Sequence, residues 1–166
     1  MKTIKVYLSK PKNHPFPIFS WLVRLVEHTK YSHFIVGWYD GYLKKEIFYE
    51  STGSGMNFIN KKLFLKKHKI IKEFKFNSKN IYDIKKYAHD NAKRKYSIKQ
   101  IFGLFIMRLL SLFNIKISNP FKDGQYSQIC VETAAYLLSK GKIINLPDNI
   151  EDYGLVELEI LLKSIR

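Results

Sequence analysis

Apolar and polar residues alternate over residues 2–9 (KTIKVYLS), the period of two expected of a half-buried β-strand. Pro11, Pro15 and Pro17 follow and make residues 10–17 a connection. Over residues 16–29 the apolar positions Phe19, Leu22, Val23 and Val26 recur at helical spacing, with Ser20 and Arg24 between them. Residues 31–39 (YSHFIVGWY) predict a strand, and its unbroken Phe34-Ile35-Val36 run predicts a central one. Asp40-Gly41 is a hairpin signal, and residues 45–51 (KEIFYES) are the returning strand. Gly53 to Gly55 reads as a flexible turn, and residues 69–76 as a later strand with Ile71 and Phe74 among lysines.

The second half of the chain changes period. Asn77 or Ser78 can cap a helix running to about Arg94, with Ile81, Ile84, Tyr87, Ala88 and Ala92 as its inner stripe. Ser97 can cap the next, residues 98–113, which is apolar nearly all round and so predicts a buried central helix. A helix that contacts a membrane is the alternative for that segment. Residues 119–127 read as loop, and residues 128–139 as a helix that starts close to Cys130 and is ended by Gly141. Pro147 to Asn149 is a turn and residues 151–162 a last helix. A helix between strands, then a run of helices, predicts an α+β class in one domain over residues 1–166, with no internal repeat and no dividing linker.

Composition narrows the class. A chain of 166 residues with 15% aromatic content is neither disordered nor too short for a core. Its one cysteine rules out an intrachain disulfide framework. The formal net charge is +15, carried by 25 lysines but only four arginines, whereas base-specific DNA readers lean on arginine forks. Nucleic acid is therefore a poor candidate partner, and an AT-rich coding sequence accounts for much of the lysine. The charge is uneven: 14 basic residues, beginning with Lys61 and ending with Lys99, face three acids, Glu73, Asp83 and Asp90. Such a face suits either solubility or an anionic surface. The most apolar stretch, residues 98–117, is interrupted by Arg108 and Asn114, so no transmembrane segment is predicted. The opening MKTIKVYLS lacks the apolar core of a signal peptide, which predicts a cytoplasmic protein or one packaged in a particle such as a virion.

Three residues could do chemistry together. Cys130 stands where a loop gives way to an apolar-striped helix, in QYSQICVETAAYLL. A thiol in a first helical turn meets the positive end of the macrodipole and unpaired N–H groups, which favour the nucleophilic thiolate and can donate to an oxyanion. His33 lies on the expected central strand and could serve as general base and acid. Glu50, on the strand paired with it, could accept the second imidazole N–H and fix the tautomer. His14, between prolines, and His68, in a lysine run, are poorer candidates, as are His28 and His89. No zinc-ligand spacing and no phosphate-binding glycine loop is present, so neither a metal nor a cofactor is expected.

The blocks Tyr31-Ser32-His33, Tyr49-Glu50-Ser51, Tyr96 to Gly103 and Cys130-Val131-Glu132, in that order, resemble the circularly permuted branch of the NlpC/P60 superfamily of papain-like cysteine hydrolases. The resemblance covers roughly residues 3–140. It implies a small antiparallel sheet packed against the cysteine-bearing helix, with Cys130 as nucleophile, His33 as base and acid, and Glu50 orienting His33. Val131 stands where the family usually has serine. Tyr31, Gln125, Tyr126 and Gln128 are the side chains near enough in sequence to serve as oxyanion donors. The family's chemistry implies hydrolysis of an amide or ester through an acyl-enzyme, on a peptide-, cell-wall- or lipid-like substrate. Acyl transfer between lipids is the alternative within the fold. A catalytically inactive basic protein holding an anionic partner is the alternative outside it.

Overall fold

The computed structural model describes residues 1–12, 17–122 and 126–165, with only the backbone of residues 17–19. His14, Phe16, the Phe19 side chain and Gln125 lie outside what is described. The architecture is α+β. Five antiparallel strands run β1 (Lys2–Pro11), β2 (His33–Asp40), β3 (Lys45–Thr52), β4 (Gly55–Asn60) and β5 (His68–Ser78), in the spatial order β4-β3-β2-β1-β5. The strand with the continuous apolar run, β2, is the middle one, as its burial on both faces requires.

Around the sheet, among the described residues, are six helices: α1 (Pro17–Val26), α2 (Lys61–Lys67), α3 (Ile81–Asp90), α4 (Ile98–Ser111), α5 (Cys130–Lys140) and α6 (Leu155–Ser164). A two-residue parallel bridge joins β6 (Lys95–Tyr96) to β7 (Ser127–Gln128). No helix is long and apolar enough to cross a membrane, and no group of three or more potential metal ligands is found among the described residues.

Strand alternation divides the sheet into two faces. Ile4, Val6, Leu8, Phe34, Val36, Trp38, Tyr49 and Phe74 belong to the main core with α3, α5 and α6. The opposite face contributes Tyr7, Ile35 and Phe48 to a smaller core closed by Phe64 of α2. The β2–β3 turn is held by Asp40, whose Oδ1 accepts the N–H groups of Tyr42 and Leu43 at 3.1 and 3.0 Å. The positive φ of this turn falls on Lys44 rather than on Gly41.

Several boundaries differ from the sequence reading. The stretch after Gly55 forms β4 and α2, neither expected. Helix α3 stops at Asp90 instead of Arg94, because Lys93 takes a left-handed φ of 68° and the chain turns into β6. Residues 150–152 make a 3₁₀ turn, and α6 begins only after Gly154. The largest correction concerns α4, which is not a buried central helix. It buries Gln100, Gly103 and Leu104 and exposes Ile98, Phe102 and Leu109. Its large side chains point all round, but the sheet is already covered by α3, α5 and α6, so only one stripe finds a core to enter.

Candidate active site

The antiparallel pairing of β2 with β3 puts the first residues of one beside the last of the other. His33 opens β2, and Glu50, opposite Ile35, lies two residues from the end of β3. Helix α5 packs on β2 and β3, with Cys130 as its first residue. Residues 33, 50 and 130 thus meet at one end of the sheet.

His33 Nε2 is 3.4 Å from Glu50 Oε2, and the Cys130 side chain lies close enough to the ring to act on its charge. All three are largely withdrawn from solvent: Cys130 is 6% and Glu50 8% exposed, and the His33 side chain 13%. Burial alone would discharge the imidazole. The contacts with Cys130 and Glu50 outweigh that and raise the His33 pKa to about 10, so the ring is held protonated at neutral pH. His33 Nε2 and Glu50 Oε2 do not complete a well-aligned hydrogen bond with each other or with another side chain. The Ser9 hydroxyl, directly across the sheet from His33, is also buried without a partner. Native interiors pair nearly all such atoms.

The start of α5 is built from polar contacts. Glu132, itself buried, reaches back so that its Oε2 accepts the Ile129 N–H at 2.9 Å. This closes the first turn around Cys130. Its other oxygen accepts from Gln100 Nε2 of α4 at 2.8 Å. The backbone of Gln100 is held in turn, since its main-chain carbonyl accepts from Asn119 Nδ2 at 3.1 Å. Asn119 presses against Gly103, where a Cβ would lie 1.8 Å from Asn119 Oδ1. The glycine seven residues after Tyr96 therefore serves a close approach. On the sheet side, Ser51 Oγ donates to the Gln128 carbonyl at 3.0 Å, tying β3 to the residues before the cysteine.

The four side chains suggested as oxyanion donors fare differently. The Tyr31 hydroxyl is buried and donates to Glu159, which also pairs with Lys72 at 2.5 Å and Lys163 at 3.0 Å. The Gln128 amide bonds the Tyr87 hydroxyl at 3.2 Å. Tyr126 projects into solvent at 90% exposure. Gln125 lies outside the described residues.

Two residues passed over in the sequence stand close by. The register of β6 with β7 sets Tyr96 opposite Gln128, two positions before Cys130. Burial raises the Tyr96 pKa well above its ordinary value, and the nearby Cys130 and Glu132 side chains add to this, so the phenol keeps its proton. Its place in the Tyr-to-Gly block was the available signal. His68 opens β5, stacks on Phe64 with ring centroids 4.4 Å apart, and lies 6.3 Å from the His33 ring. The surrounding lysines hid it. His28 and His89 are exposed.

No protein-family model matches this chain, and no curated protein matches it.

Proposed function

We propose that this protein is a thiol hydrolase with a permuted papain-like fold of the NlpC/P60 kind, cleaving an amide or ester bond through an acyl-enzyme. The observation that supports the reading is a buried imidazole flanked by a sulfur at a helix N-terminus and by a carboxylate on the neighbouring strand.

With its proton passed to His33, the Cys130 sulfur attacks the substrate carbonyl and a C–S bond forms. The backbone N–H groups of the first turn of α5 and the phenol of Tyr96 would donate to the developing oxyanion. His33 gives its proton to the leaving nitrogen or oxygen as that bond breaks. Water then attacks the thioester, yielding a proton to His33, and the acid departs as the C–S bond breaks, leaving the thiolate beside the protonated ring. Glu50 faces the charged ring throughout and fixes its orientation.

A lipid-type ester is the second reading for the substrate. It is favoured by the large apolar side chains that α4 leaves exposed on the element whose Gln100 holds Glu132.

The test is the rate of Cys130 alkylation by iodoacetamide against pH, in the parent and in His33→Ala. The expected result is fast alkylation that slows markedly in the variant. A slow reaction indifferent to His33 overturns the hydrolase reading and leaves a basic binding protein.

A further inference from the structure

Helix α4 carries Ile98, Phe102, Leu109 and Leu112 at intervals of four, seven and three, which is one stripe of an α-helix, with Phe113 beside its end. The stripe faces outward: Phe102 is 56%, Leu112 74% and Phe113 70% exposed. The helical turn then closes as a Schellman motif, with Asn114 N–H on the Ser111 carbonyl and Ile115 N–H on the Leu110 carbonyl, both 3.1 Å. Asn114 takes the left-handed φ of 60° that this requires. Ile115 and Ile117 continue the exposed apolar surface, and Phe121 lies 6.1 Å from Phe102. A second apolar group, Trp21, Leu22 and Leu25, protrudes from α1. The end of α1 is tethered to α4 by Glu27, whose carboxylate pairs with Arg108 at 3.4 Å.

Charge identifies the occupant. Between Asp90 and Asp123 the sequence has seven basic residues and no acidic one. Lys95, Lys99 and Lys116 are exposed and in none of the ion pairs among the described residues. A second copy docking through the same face would set like charges against like in a two-fold contact. A bilayer rich in anionic headgroups meets both demands, since it takes protruding apolar side chains below the headgroups and lysines among the phosphates.

We infer that the outer stripe of α4 with residues 112–117, joined by the exposed apolar residues of α1, is a peripheral docking face for an anionic lipid bilayer. The inference does not depend on the hydrolase reading, and Cys130→Ala protein should dock as the parent does.

The experiment is flotation of the intact chain with vesicles of phosphatidylcholine mixed with phosphatidylglycerol, and with vesicles of phosphatidylcholine alone. Binding is expected to the mixed vesicles and to fall as salt is raised. The double variant Leu112→Asp/Phe113→Asp should bind roughly tenfold or more weakly, because two side chains no longer leave water. Both positions are exposed, and an unchanged circular dichroism spectrum and melting temperature will show the variant folded. Trp21 emission should shift to the blue on mixed vesicles, while Trp38, 3% exposed, already reports a buried environment. Leu112→Ser/Phe113→Ser, which adds no charge, should weaken binding in the same direction. Failure of the parent to float overturns the inference. So does equal flotation of the double variants, which would place lipid contact on the lysines between residues 61 and 99. A parent dimer that these variants split, without vesicle binding, would make the face a self-contact and also overturn it.

Discussion

Helices α4 and α5 are both strongly apolar in sequence, yet the structure treats them in opposite ways. Eight of the 11 residues of α5 are buried and only three of the 14 in α4. The difference lies in side-chain size and polar anchoring. Ala134 and Ala135 let the α5 backbone come close to the sheet, and Glu132 fastens its first turn. Helix α4 has bulky groups on every side and can satisfy only one stripe, the one holding Gln100, Gly103 and Leu104. Apolar content measures what a helix could bury, and neighbours decide what it does bury.

The contrast can be broken or sharpened by substitution. The largest effect is expected at the head of α5: Cys130→Ala should cut hydrolysis of an activated ester probe by about 10³-fold or more, as loss of a nucleophile does. A variant that keeps the parent rate would remove Cys130 from the chemistry. Next comes one truncation made on both helices. Leu137→Ala in the α5 core should cost about 2–5 kcal/mol in urea unfolding. Leu112→Ala, just past α4, should stay within about 0.5 kcal/mol. Equal costs would mean that the α4 face is covered.

A smaller effect is expected from proton linkage. His33 has its pKa raised from 6.5 to about 10 in the folded protein. The folded state therefore holds this proton more tightly than the unfolded chain. The stability so gained is fully present below pH 6.5 and is lost as pH rises through about 10. Melting temperatures of the parent and His33→Gln should accordingly draw together across that window. A gap that stays flat across that window would show the ring to be buried neutral. The smallest effect is at Glu50. Glu50→Gln should lower ester hydrolysis by about 10-fold or more with the fold intact, the loss expected when the ring keeps its pocket but not its carboxylate.

Much of this was legible in the residues. The period-two stretch of β1, the Phe34-Ile35-Val36 run and the Asp40-Gly41 turn gave three strands and the central place of β2. The same reading put His33 and Glu50 on paired strands and Cys130 at a helix start, and the structure brings those three side chains together. What escaped was short or depended on distant partners. Strand β4 and helix α2 have six and seven residues, too few for a period to declare itself. The bridge that brings Tyr96 beside Cys130 is two residues long and pairs segments 32 positions apart. His68 was masked by the lysines around it. The outward stripe of α4 was misread because a single sequence shows that a helix is apolar, not that other helices have already taken the sheet.

The turn that presents Cys130 is also the turn that Glu132 and Gln100 lock in place, so chemistry and architecture share residues there without sharing duties. Selection on the two should come apart in lineages that abandon catalysis. Such descendants would be free to replace the sulfur, yet would retain the acid three-residue staple and its amide partner, because without them the backbone around position 130 loses its scaffold.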